Sequence, residues 1–145
     1  MKRIAIGLLA AVALMQAGAA EPEWLTDLPQ AQAKAKGENK MVLLDFTGSD
    51  WCPPCKALHK NVLTSPEFAE YANRNLVLVE VAFPRNKTHS DALRQANKAL
   101  AKKFGIKGYP TVVVLDGSGK VLSSKTGYGG EAPASFIAKL KALKS

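Results

Sequence analysis

The only two cysteines of the 145-residue chain stand three apart, in Trp51-Cys52-Pro53-Pro54-Cys55-Lys56. Such a pair can serve several chemistries, and the neighbouring residues separate them. Covalent haem attachment wants a His directly after the second Cys, and Lys56 holds that place. Structural zinc wants four ligands, whereas the chain adds only His59 and the distant His89. A purely structural disulfide would gain little here, because closing so short a loop restricts the unfolded chain only slightly. A redox dithiol uses every position. Cys52 falls at a helix start, where unpaired N–H groups and the macrodipole favour the thiolate, the attacking species. Cys55, one turn on, can attack a mixed disulfide and release the substrate. A copper-binding or copper-delivery module using Cys52, Cys55 and a His is the alternative from another class.

A dithiol of this kind needs a rigid strand before it and a helix after it. Met41 to Thr47 is an apolar run around a single acid, Asp45, and reads as a buried strand. Pro54 to Asn73 reads as a helix kinked at Ser65-Pro66, where proline restarts the helix and Ser65 can cap it. Leu76 to Phe83 is a second buried strand, followed by a polar loop, Pro84 to His89, and a helix from Ser90 to Phe104. Thr111 to Leu115 and Lys120 to Lys125 form a hairpin around Asp116-Gly117-Ser118-Gly119, and Pro133 to Leu143 is a closing helix. Ahead of these, Trp24 to Lys36 reads as a helix capped by Thr26 or Asp27 and ended by Gly37, with Trp24 packing it onto the domain. The order is a helix, then βαβαββα. That alternation implies an α/β fold, a mixed sheet with helices on both faces. No repeat or linker divides it.

The first twenty residues are an address. A basic start (Met1-Lys2-Arg3), an apolar run from Ile4 to Leu14 and the small residues Ala17-Gly18-Ala19-Ala20 have the three parts of a signal peptide. About eleven apolar residues are too few for a bilayer core that needs about 20. The expected organisation is a cleaved signal over 1–20, a helical extension over 21–39 and the main domain over 40–145. The chain carries 20 Lys and Arg against 12 Asp and Glu, and loses Lys2 and Arg3 with the signal, so +8 becomes +6. Export removes nucleic acid as a partner and puts the cysteines where disulfides form. Arg94, Lys98 and Lys102 make a basic stripe at i, i+4 spacing, read as a solvated helix face. His59 shares a helix face with Cys55 and reads as a surface residue, and His89 belongs to a solvated loop.

With these pieces together, the chain resembles the thioredoxin superfamily over about Met41 to Leu143. Asp45-Phe46 with Trp51-Cys52-Pro53-Pro54-Cys55-Lys56 is similar to its strand and active-site helix. Phe104-Gly105-Ile106-Lys107-Gly108-Tyr109-Pro110-Thr111 is similar to the segment carrying its cis-proline. Val112 to Gly119 and Gly127 to Gly130 are similar to its closing hairpin and following turn. Asp50-Trp51-Cys52, the Lys56 helix and Ser65-Pro66-Glu67 resemble the C-terminal periplasmic domain of DsbD-type thiol reductases. The resemblance implies a thioredoxin fold and roles for six residues. Cys52 is the exposed nucleophile, Cys55 the resolving thiol and Asp45 the buried acid beneath them. Pro110 is cis, the Tyr109 backbone pairs with a substrate strand, and Trp51 lines the contact surface. It also implies no metal and no cofactor beyond the dithiol itself. The expected protein is a monomeric periplasmic oxidoreductase acting on protein thiols and disulfides, fed by a membrane-embedded thiol donor. A specialised reductant for apocytochrome c is the rival within redox chemistry.

Overall fold

A computed structural model describes residues 18–144, so the expected signal peptide falls, apart from 18–20, outside the described residues. Among the described residues five strands, β1 (Trp24–Leu25), β2 (Met41–Thr47), β3 (Leu76–Ala82), β4 (Thr111–Leu115) and β5 (Val121–Thr126), form one sheet in the order β1-β3-β2-β4-β5. The central strand is β2 (Met41–Thr47), buried along its whole length, as its apolar sequence requires. It runs parallel to β3 (Leu76–Ala82) and antiparallel to β4 (Thr111–Leu115), which turns into β5 (Val121–Thr126). Asp116 ties that hairpin by accepting from the backbone N–H groups of Ser118 and Lys120.

Alternation along the strands sorts the core into two layers. Leu43, Leu78 and Val114 face Leu58, Phe68, Tyr71 and, from α5 (Pro133–Leu143), Ile137 and Leu140. Val42, Leu44, Phe46, Val79 and Val113 face Ala31 and Ala35 of α1 (Leu28–Glu38) and Phe104 at the end of α4 (Asp91–Lys103). A sheet buried on both faces is what unbroken Val/Leu runs in β2 and β3 demand.

Three elements differ from expectation. Trp24 and Leu25 do not begin a helix: they form β1, an edge strand parallel to β3 at Leu78 and Val79. Two residues carry no periodicity, so the strand is made by the unpaired edge of β3 and not by local preference. The helix starts after Asp27, whose carboxylate accepts from Gln30 N–H, and it runs through Gly37. Asn39 ends it instead, in the left-handed region at φ 54°, with its N–H returned to the Ala35 carbonyl.

The helix after the cysteines is also not one kinked rod. It consists of α2 (Pro53–Leu58), a π-helical turn over His59–Leu63, and α3 (Pro66–Asn75). Pro66 has no N–H to give the Val62 carbonyl, so the N–H and the hydroxyl of Ser65 both donate to it, at 3.0 and 2.6 Å. Ser65 Oγ then accepts from Phe68 N–H and caps α3. The Thr64 hydroxyl contacts the His59 and Lys60 carbonyls, both at 3.0 Å, in the turn where the helix widens.

Candidate active site

Cys52 is the N-cap of α2 and Cys55 lies in its first turn, with 5.2 Å between their Cα atoms and a disulfide joining them. Strand β2 delivers the chain to this point, and a tight turn seats it. The N–H groups of Trp51 and Cys52 both donate to the Gly48 carbonyl, at 2.9 and 3.0 Å. Gly48 N–H is 3.5 Å from Cys55 Sγ. Glycine is required there: a Cβ at position 48 would lie 2.5 Å from the Trp51 ring and 2.9 Å from Cys52 Cβ. This packing corrects one expectation. In the disulfide form Cys52 is not exposed but 4% accessible, scarcely more than Cys55 at 3%.

Below the disulfide lies a cavity of about 350 Å³ whose walls include Cys55, Asp45, Glu80, His59 and Trp24. Asp45 and Glu80 are register partners on β2 and β3, so their side chains share one face of the sheet. One Asp45 oxygen, Oδ1, is buried without a hydrogen-bond partner. Burial, and secondarily the charge of Glu80, push the Asp45 carboxyl from 3.8 up to about 7. A group that titrates near neutral pH can take up and return a proton. Asp45 is buried and lines the same cavity as Cys55. Trp24, expected to pack the first helix onto the domain, packs against the core from β1 and lines this cavity, as does His59, exposed on the π-helical turn.

Above the disulfide, Trp51 is held on three sides. Its Nε1–H donates to the Phe83 carbonyl at 2.7 Å, its ring meets Tyr109 edge-on at 5.9 Å, and the Arg85 guanidinium lies 3.9 Å over it. Tyr109 is joined to Pro110 by a cis peptide bond, and Pro110 is buried at the start of β4. Asp50 fixes the loop that supplies Phe83 and Arg85 by accepting from Arg85 and Asn86 N–H at 3.0 and 2.7 Å. These backbone donors, Arg85 first, hold its carboxyl below the usual range. Asp45 and Cys55 thus share one cavity, and Tyr109, bonded to Pro110, meets the Trp51 ring next to Cys52.

Sequence reasoning missed two members. Glu80 carries one signal in the sequence, as the lone acid of an apolar strand that pairs with the strand of Asp45. Arg85 carries none, because its place over Trp51 depends on how the loop folds. His89 also departs from a solvated loop residue: it is half-buried, and its Nδ1 is enclosed with no partner. Among the described residues, no three His, Cys, Asp or Glu side chains converge as metal ligands would.

A disulfide at a helix start, a buried acid sharing a cavity with its second cysteine and a cis-proline leading into β4, on a five-stranded mixed sheet, define a thioredoxin-fold thiol–disulfide oxidoreductase. A family model for the thioredoxin-like domain matches residues 28–144, and the chain belongs to that family. It is similar to the disulfide bond reductase DsbH of Chlamydia pneumoniae, 35% identical over 127 residues that cover 87% of this chain and 75% of that one. A solved DsbH oxidoreductase superimposes with a TM-score of 0.81 at 29% identity, covering 97% of this chain and 94% of that one. The thiol:disulfide interchange protein DsbD of Klebsiella pneumoniae is 31% identical over 117 residues, 81% of this chain but only 18% of that much longer protein. The chain is an oxidoreductase of DsbH/DsbD type, with Cys52 and Cys55 as its redox pair.

Proposed function

We propose that the protein is exported by cleavage of residues 1–20 and reduces or shuffles disulfides in extracytoplasmic proteins. The observation that carries the reading is the buried Asp45, its Oδ1 without a partner, lining the same cavity as Cys55. In the reduced protein, the Cys52 thiolate attacks a client disulfide, forming a mixed disulfide and expelling one client thiolate. Asp45 accepts the Cys55 proton, and the Cys55 thiolate attacks Cys52 sulfur. The second client thiolate leaves, takes up a proton, and the protein is left as the Cys52–Cys55 disulfide. Two electrons have passed to the client. Trp51, Tyr109 and Pro110 frame the client strand, with the Tyr109 backbone pairing to it. A membrane-embedded thiol donor restores the dithiol, because an oxidising compartment alone would leave it a disulfide.

The same geometry supports a reducing direction. Thiolate stabilisation favours the reduced form and makes a pair oxidising. Neither Pro53 nor Pro54 has an N–H to offer Cys52, so the first donor after it in α2 is Cys55. Equilibration with glutathione measures the outcome. A potential near the roughly −270 mV of thioredoxin is expected, and one near the roughly −120 mV of DsbA would refute the reductant reading.

A further inference from the structure

Beside the dithiol, the loop that carries Arg85 and the helix α4 enclose a groove of about 420 Å³. Arg85, Lys87, Arg94 and Lys98 line it together with His89, and no carboxylate does. Two members of the basic stripe on α4 are therefore turned toward the site, while Lys102 is not among the residues lining the groove. Asn97 fixes α4 against the sheet here, donating from Nδ2 to the Ala82 carbonyl at 3.0 Å.

The charges are poorly compensated. Arg94 is paired with Asp91, and Asp50, outside the groove lining, has its oxygens taken by the backbone N–H groups of Arg85 and Asn86. Arg85, Lys87 and Lys98 enter no ion pair among the described residues. The groove is also continuous with the redox centre. Arg85 stacks on Trp51, Phe83 meets Tyr109 at 5.3 Å, and Lys87 lines both the groove and the cavity below Cys55.

Resting on the exchange chemistry above, we propose that this groove receives an acidic stretch of the client polypeptide, adjacent in sequence to the cysteine under attack. Carboxylates there meet Arg85, Lys87 and Lys98, neutralise them, and hold the target disulfide over Cys52. A cationic cleft of this kind raises local concentration and association rate for anionic partners, and salt screens the effect.

The test uses two disulfide-linked peptides identical but for a flank of three Asp or three Asn residues beside the cysteine. At low ionic strength the reduced protein should show a kcat/KM several-fold higher for the acidic peptide, on the order of five- to tenfold. The preference should approach unity in 0.5 M salt. Lys98→Gln should cut the ratio about twofold or more, and Arg94→Glu with Lys98→Glu should invert it. No preference in the wild type at low salt overturns the proposal without needing any variant. Reduction of the uncharged bis(2-hydroxyethyl) disulfide is followed in parallel. If that fails too, the exchange reading itself is wrong, whereas success there with no acidic preference removes only the groove. Binding to anionic phospholipid vesicles through Lys98, with no peptide preference, would assign the groove to a membrane surface and likewise overturn the proposal.

Discussion

The two cysteines differ in what surrounds them more than in how deeply they lie. Cys52 abuts Gly48 and the framed Trp51, while Cys55 borders the cavity with Asp45. Cys52→Ser should therefore abolish reduction of insulin, and Cys55→Ser should accumulate mixed disulfides with clients, visible on non-reducing gels. Substantial insulin reduction by Cys52→Ser would reverse the roles. Asp45 predicts a pH dependence. Unfolded, its carboxyl ionises near 3.8; folded, near 7. Unfolding therefore releases a proton between those values. The contribution is fully present below about pH 4, is lost as pH rises through about 7, and amounts to roughly 4 kcal/mol across the window. In urea unfolding at pH 5 and pH 8, Asp45→Asn should show a markedly smaller loss of stability on going to the higher pH. Equal losses in the two proteins would mean that another group sets the slope.

Elements were legible where sequence pattern and tertiary demand coincide. β2, β4 and α5 have the expected bounds because each couples an apolar run to a firm stop. The misreadings share a cause. β1 exists where β3 offers an open edge, and the π-helical turn is closed by Thr64 N–H donating to the His59 carbonyl five residues back. Neither is a local preference of the residues that adopt it. Around the site, Cys52 and Cys55 were readable from residue type and spacing and Asp45 from the family resemblance, whereas Arg85 and the enclosure of His89 depend on loop geometry. Ser65 is the junction worth testing. It serves the carbonyl at the end of one segment and the first turn of the next, so Ser65→Ala should cost about 1–2 kcal/mol. Chemical denaturation reads that loss, and a change below about 0.3 kcal/mol would show that the cap is dispensable.

For the molecule as a whole, the segment before α1 belongs to the fold. Trp24 and Leu25 cover the outer edge of β3, and Trp24 lines the cavity shared by Asp45 and Cys55. A chain beginning at Leu28 should keep the family's elements yet expose Leu78 and Val79 as an unpaired parallel edge. Bare edges of that kind recruit other chains. Such a truncation should melt lower than the mature protein and scatter light at concentrations where the mature protein stays clear. An unchanged melting temperature would demote β1 to decoration.

Gly48 carries a consequence for natural variation. Its missing side chain is space taken on one side by the Trp51 ring, 2.5 Å from where a Cβ would stand, and on the other by Cys52 Cβ, at 2.9 Å. Loss of the indole would free only the first, so a change at 51 cannot make room at 48 while the cysteine remains. Drift at the two positions should therefore be one-sided. Among diverged relatives that keep the cysteine pair, the residue at 51 should vary in size, whereas 48 should stay glycine.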